Sequence, residues 1–205
     1  MIIKVCGMRE PENIRAVEQT GADWMGFICY PRSPRFISQR PDYLPQHARR
    51  IGVFVNTCYE EIIRRANELE LHGIQLHGSE TPELCQRIRS SGFSVIKAFA
   101  IKQADELACT EAYTDCCNYF LFDTPCPGYG GSGRSFDWQL LSNYQGNVPF
   151  LLSGGICPES LPALLRFRHP RWTGIDLNSG FETASAIKNN TALSTFIHQL
   201  KEQER

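Results

Sequence analysis

Residues 119–123 read Tyr119-Phe120-Leu121-Phe122-Asp123, four apolar or aromatic side chains in unbroken succession and then a carboxylate. A half-exposed strand alternates apolar with polar residues, whereas an unbroken run is the pattern of a parallel strand covered on both faces. Seven further β-prone runs recur at a nearly steady interval, at 2–6, 24–29, 51–55, 73–77, 94–98, 149–153 and 172–176. Parallel strands need crossover segments, and several of the intervening stretches read as helices. Glu12 to Thr20, Tyr59 to Leu71 and Thr191 to Glu202 carry helical periodicity. Thr81 caps a helix that has Pro82 at its first position and Gly92 beyond its end, and Pro158 opens another. Between the second and third runs, prolines 31, 34, 41 and 45 interrupt the pattern, so one helix is expected to be short or missing.

Eight strand-plus-crossover units in 205 residues match the lower end, roughly 200 residues, of closed eightfold barrels. The expected fold is therefore α/β, a single-domain (β/α)8 TIM barrel with parallel strands over residues 1–205. An open doubly wound sheet is the rival, disfavoured because Cys6-Gly7-Met8-Arg9-Glu10, with no G-x-G-x-x-G, follows the first strand.

Composition narrows the partners. With 21 Lys+Arg against 22 Asp+Glu the net charge is -1, which removes the electrostatic case for nonspecific binding to nucleic acid or an anionic membrane. The apolar runs are too short to cross a bilayer, and the N-terminus lacks the leader of a signal peptide, so a cytoplasmic location is expected. Nine cysteines, odd in number and without a Cys-x-x-Cys spacing, read as reduced thiols; neither structural zinc nor a thiol-redox role is expected.

In a barrel the loops after the strands build the site, so polar residues at strand C-termini carry the interest. Cys6 lies two residues after Lys4 on the same strand face, either as a base or as a small buried hydrophobe. Lys4 is positioned to pair with Asp176 where strands eight and one meet. Asp123 leaves an apolar run at the strand mouth, where desolvation would suit a general acid; a cap on the turn before Pro125 is the alternative. Gly130-Gly131-Ser132-Gly133, Ser153-Gly154-Gly155 and Asn178-Ser179-Gly180 permit close backbone approach to phosphate oxygens. Arg32 and Arg35 offer guanidiniums to a carboxylate, against the alternative of a solvated loop. His72 and His77 would face opposite sides of one strand and cannot chelate a metal together; His77 either touches a ligand or is structural.

Lys4-Val5-Cys6-Gly7-Met8, Gly26-Phe27-Ile28 with Tyr30 to Arg35, Gly52 to Asn56, Ile74 to Gly78, Leu121 to Thr124, Gly130 to Gly133 with Phe136-Asp137-Trp138, Leu152 to Gly155 and Asp176 to Gly180 resemble, in order, the blocks of the phosphoribosylanthranilate isomerase family. The resemblance implies an Amadori rearrangement of an aldosylamine to an aminoketose in tryptophan biosynthesis, with no metal or organic cofactor. It implies Cys6 as general base, Asp123 as general acid, Arg35 on the anthranilate carboxylate, and Gly154, Gly155, Ser179 and Gly180 on the phosphate. The expected ligand site also includes His77 and Gly131, with Lys4 and Asp176 supporting the thiolate from behind. The partner expected is a small phosphorylated molecule, and the chain either a monomer or a homodimer. One departure stands out: the family commonly has a glycine and a Lys-Asp pair after the strand-eight block, where this chain has Phe181-Glu182-Thr183-Ala184-Ser185-Ala186-Ile187-Lys188-Asn189, which bears on the start of the last helix and on the detail of phosphate binding. Another sugar-phosphate isomerase or epimerase, or a noncatalytic phosphate-ligand-binding barrel, are the alternative functions.

Overall fold

The computed structural model describes residues 1–123 and 138–203. Eight parallel strands close into a barrel in chain order: β1 (Ile2–Cys6), β2 (Trp24–Ile28), β3 (Arg49–Phe54), β4 (Gly73–Leu76), β5 (Ser94–Ala100), β6 (Tyr119–Asp123), β7 (Phe150–Leu152) and β8 (Trp172–Leu177). Closure is the β1–β8 pairing, which sets Lys4 opposite Asp176 and Ile3 opposite Ile175. The period of two then divides every strand between two cores. Trp24, Ile51, Ile96, Ala98, Leu121 and Leu151 fill the barrel, with Ile2 and Tyr119 packed against them. Their strand neighbours Ile3, Val5, Phe27, Ile74, Val95, Phe120, Phe122, Phe150 and Ile175 point outward into the layer beneath the helices. Both faces are dry, which is why the strands read as unbroken apolar runs.

The covering layer is less regular than a full set of eight helices. The α-helices among the described residues are α1 (Pro11–Glu18), α2 (Tyr59–Glu68), α3 (Pro82–Ser90), α4 (Leu161–Arg166) and α5 (Asn190–Gln203). As the prolines require, no helix lies between β2 and β3; residues 29–48 cross by turns, and Phe36 bridges to Ile28. After β5 the crossover is a 3-10 helix, Ala104–Tyr113, and another, Trp138–Asn143, precedes β7. In α3 the sequence signals operate as written: Thr81 accepts from the Leu84 N–H at 3.4 Å, Pro82 opens the helix, and Gly92 follows with φ +90°. No helix among the described residues is long and apolar enough to cross a membrane.

The departure after β8 has a structural resolution. A short hairpin, β9 (Glu182–Ala184) and β10 (Ile187–Lys188), turns at Ala186, and α5 begins at Asn190. Ala186 is buried with φ +65°, the left-handed region in which its Cβ is strained. Replacing Ala186 by Gly removes that strain at the cost of some chain entropy. The expected outcome is a gain of about 1 kcal/mol, read as a rise of about 2–4 °C in thermal midpoint. An unchanged or lower midpoint would show that the turn is unstrained.

Candidate active site

The C-terminal ends of the strands open into one cavity. Its lining brings together Cys6, Arg35, His77, Asp123, Gly154, Gly155, Asp176, Ser179 and Gly180, every expected site residue except Lys4, which lies deeper, and Gly131, which falls outside the described residues along with the rest of the Gly130 to Gly133 run. Cys6 and Asp123 end β1 and β6 on the inward face. Cys6 is 4% exposed yet borders the cavity, so its sulfur forms part of the floor. Gly26 on β2 makes room for it, since a Cβ there would stand 2.7 Å from the sulfur.

Below the thiol, Lys4 is fully buried and its Nζ lies 2.8 Å from Asp176 Oδ1. Burial alone would drive Lys4 toward the neutral amine, but Asp176 and the Cys6 sulfur more than offset this and hold it charged. The thiol departs from the ionised state expected of a base. Burial, with the Asp176 charge acting in the same direction, pushes the Cys6 thiol above its ordinary value, and the neighbouring Lys4 and Lys188 ammonium groups pull it back only in part. Desolvation together with the Asp176 charge outweighs the two nearby cations and favours the thiol over the thiolate.

Opposite, His77 Nε2 lies 3.3 Å from Asp123 Oδ2, and Gln75 Nε2 lies 2.8 Å from His77 Nδ1. With the amide donating to Nδ1, the ring proton sits on Nε2, the nitrogen nearer the carboxyl. Gln75 is almost fully buried, borders the cavity, and its Oε1 has no hydrogen-bond partner among the described residues. His72, by contrast, precedes β4 at the far end of the barrel, where its Nδ1 accepts from the Arg50 N–H at 3.0 Å.

Arg35 reaches the cavity, while Arg32 is solvent-exposed and does not line it; the two do not form a paired clamp. Arg35 is itself already engaged. Its Nε donates to Glu182 Oε1 at 2.8 Å and its Nη2 to Oε2 at 2.6 Å. Glu182 also accepts from Lys188 Nζ at 2.6 Å, and Lys188 donates in turn to Asn178 Oδ1 at 2.7 Å. Gly7, with φ +77°, lets this network form, because a Cβ there would lie 2.8 Å from both Arg35 Cδ and Asn178 Oδ1.

On the remaining rim, Gly154 and Gly155 adopt φ +82° and +67° in succession. A Cβ on Gly180 would stand 2.2 Å from the Ile156 carbonyl, so the loops after β7 and β8 lie in direct contact. The 3-10 turn Ser179–Phe181 begins there, giving the short helix and two loops that commonly seat phosphate on this architecture.

Sequence reading passed over Gln75, Glu182 and Lys188 as site residues. Gln75 was detectable as the inward neighbour of His77 at the strand period of two. Glu182 and Arg35 are 147 positions apart, and no local pattern links them.

Lys4 and Asp176 yield a direct prediction. Lys4→Met, leaving a buried carboxylate alone, is expected to cost about 3–5 kcal/mol in denaturant unfolding. The double variant Lys4→Met with Asp176→Leu should recover most of that loss; a double variant as unstable as the single one would show that the pair does not couple.

A family model described as N-(5'phosphoribosyl)anthranilate (PRA) isomerase matches residues 3–199. The N-(5'-phosphoribosyl)anthranilate isomerase of Phocaeicola vulgatus is 60% identical over 203 residues, covering 99% of each chain. That of Parabacteroides distasonis is 48% identical, covering 98% of this chain and 93% of its own. Among solved structures, the Thermotoga maritima phosphoribosyl anthranilate isomerase superposes with a TM-score of 0.84 at 32% identity, covering 98% of this chain and all of that one. A structure of the isomerase in complex with reduced 1-(o-carboxyphenylamino)-1-deoxyribulose 5-phosphate superposes with a TM-score of 0.81 at 30% identity, again over 98% of this chain and all of that one. With a cavity that joins the ends of β1 and β6 to the glycine loops after β7 and β8, and with relatives matched end to end, the chain belongs to the N-(5'-phosphoribosyl)anthranilate isomerase family.

Proposed function

We propose that the protein converts N-(5'-phosphoribosyl)anthranilate to 1-(2-carboxyphenylamino)-1-deoxyribulose 5-phosphate, with Asp123 as general acid and Cys6 as general base. The observation that carries this reading is that both residues border one cavity whose far rim is the glycine-lined seat of Gly154, Gly155, Ser179 and Gly180. The phosphate anchors there, against backbone N–H groups that the absent side chains leave accessible.

With the phosphate fixed, the ribose ring lies across the barrel mouth. Asp123 donates its proton to the furanose ring oxygen, the C1–O bond breaks, and the sugar opens to a Schiff base. Cys6 then removes the proton from C2, giving an enolamine that tautomerises to the ketone. His77, held by Gln75, lies 3.3 Å from Asp123 Oδ2 and leaves the other carboxyl oxygen to the sugar. Arg35 takes the anthranilate carboxylate on the face that Glu182 leaves open. Glu182 keeps the guanidinium in place before substrate arrives, so that little side-chain freedom is lost on binding.

The raised Cys6 pKa has a kinetic consequence. Because the folded enzyme raises the Cys6 pKa above its ordinary 9.0, the reactive thiolate fraction grows as pH rises and is small at neutrality. Substrate turnover, followed by the loss of anthranilate-ribosylamine fluorescence, is therefore expected to show kcat/KM climbing into the alkaline range. Lys188 lowers the thiol pKa, so Lys188→Met should displace that limb to higher pH. A profile flat from pH 7 to 9 would remove Cys6 as the base.

The roles themselves are tested by Cys6→Ser and Asp123→Asn. Each is expected to lower kcat by about 10²–10⁴-fold while affinity for a phosphorylated product analogue stays within a few fold. Substantial turnover in either variant would refute its assignment, and full turnover in both would leave the barrel a phosphate-ligand binder.

A further inference from the structure

A second chemical constellation lies outside the barrel. Cys85 sits in α3, while Cys116 and Cys117 follow the 3-10 helix Ala104–Tyr113 on the way into β6. All three belong to the outer core, on the opposite side of the sheet from Cys6. Their sulfurs lie within 4.8 Å of one another, and those of Cys116 and Cys117 are 3.9 Å apart. We propose that Cys85, Cys116 and Cys117 form a three-sulfur site for a single Cu(I) ion.

Apolar packing accounts for a buried thiol but not for this convergence. Cys116 and Cys117 lie in the turn that leads into β6, and that turn brings both sulfurs toward a third cysteine on α3. A metal–sulfur bond of about 2.3 Å places neighbouring ligand sulfurs about 3.8–4.0 Å apart, the separation the adjacent pair already has. Closing Cys85 onto the same ion takes movement of less than an ångström or so.

The ligand set selects the metal. Structural zinc takes four ligands in a tetrahedron, and no histidine or carboxylate joins the three sulfurs among the described residues. An all-thiolate set of three in a dry layer suits Cu(I), the softest common first-row ion. Of the three thiols, Cys85 ionises most readily, because Cys117 hydrogen-bonds to it and the buried Lys97 ammonium acts in the same direction. Burial and the neighbouring Cys85 sulfur push Cys116 and Cys117 the other way, so the ion itself has to displace their protons. On binding, each thiol that ligates releases its proton to solvent; copper remains Cu(I), and no electron is transferred. Because the cluster and the barrel mouth lie on opposite sides of the sheet, the isomerisation has no need of the ion.

The test uses the whole protein under nitrogen with a phosphine reductant, titrated with Cu(I) against a chromogenic Cu(I) chelator. One equivalent should bind with a near-ultraviolet thiolate-to-copper band, and X-ray absorption should report three sulfur neighbours. In a mild denaturant that lets the buried thiols of the copper-free protein react, bound copper should slow alkylation of Cys85, Cys116 and Cys117, mapped by mass spectrometry, while the exposed Cys58 and Cys109 react equally with and without it. Cys85→Ser and Cys117→Ser should each weaken binding by more than about 100-fold, beyond the loss caused by removing an outer-shell partner. Cys58→Ser and Cys109→Ser should bind as the parent does, and all four should isomerise at the parent rate. Should a serine variant fail to fold, absorption and protection on the unaltered protein decide the matter. Two sulfur neighbours, protection at Cys6, copper retained by Cys85→Ser, or a disulfide within the trio would each overturn the site.

Discussion

The buried Lys4–Asp176 pair joins the fold to the chemistry. It sits at the seam where the last strand meets the first, and in the register that closes the barrel the two residues are opposite each other. A slip of one residue would turn Lys4 and Cys6 outward and bury two charges without partners, at a cost of several kcal/mol each. The register that satisfies the pair is therefore the one that puts the thiol on the cavity floor. The same pair sets the electrostatics there, because Lys4 supplies part of the pull that keeps the Cys6 thiolate within reach despite its burial.

Around this seam the site is assembled from opposed requirements. The thiol is desolvated, which disfavours its anion, while the carboxyl across the mouth lies 3.3 Å from the His77 ring. Phosphate recognition needs bare backbone, and carboxylate recognition needs a rigid cation. The glycines after β7 and β8 meet the first need, and the Arg35–Glu182–Lys188 network meets the second. Gly7 links these halves, since any side chain there would collide with Arg35 and Asn178. The hairpin that delivers Glu182 and Lys188 is bent at Ala186, so the strain of one residue in the wrong half of φ space is tolerated in exchange for a preorganised arginine.

Much of the architecture was legible because it rests on short-range rules. β1 and β6 fall on the expected residues, and the other strands differ by a few residues at their ends. Thr81, Pro82 and Gly92 bound α3 as their chemistry dictates. The missing helix between β2 and β3 was announced by its prolines. The 3-10 crossover at Ala104–Tyr113 carried no such signal. The pairing of Lys4 with Asp176 was also accessible, because strand order in a closed barrel follows chain order and the period of two assigns faces. The protonation state of Cys6 was not. Proximity to Lys4 suggested an ionised thiol, and only the depth of burial shows that desolvation prevails.

The sequence by itself determined the repeat of buried parallel strands, the inward face of each, and which strand ends carry a thiol, a carboxyl and glycines; these follow from periodicities of two to four residues and from the sterics of single side chains. Tertiary structure alone decided that Arg35 is held by Glu182, that Gln75 holds His77 against the cavity with its own Oε1 buried, and that Cys85 of α3 meets the adjacent Cys116 and Cys117. Such contacts join positions far apart in the chain, and their geometry comes from how the barrel closes and how its loops pack, which no local pattern encodes.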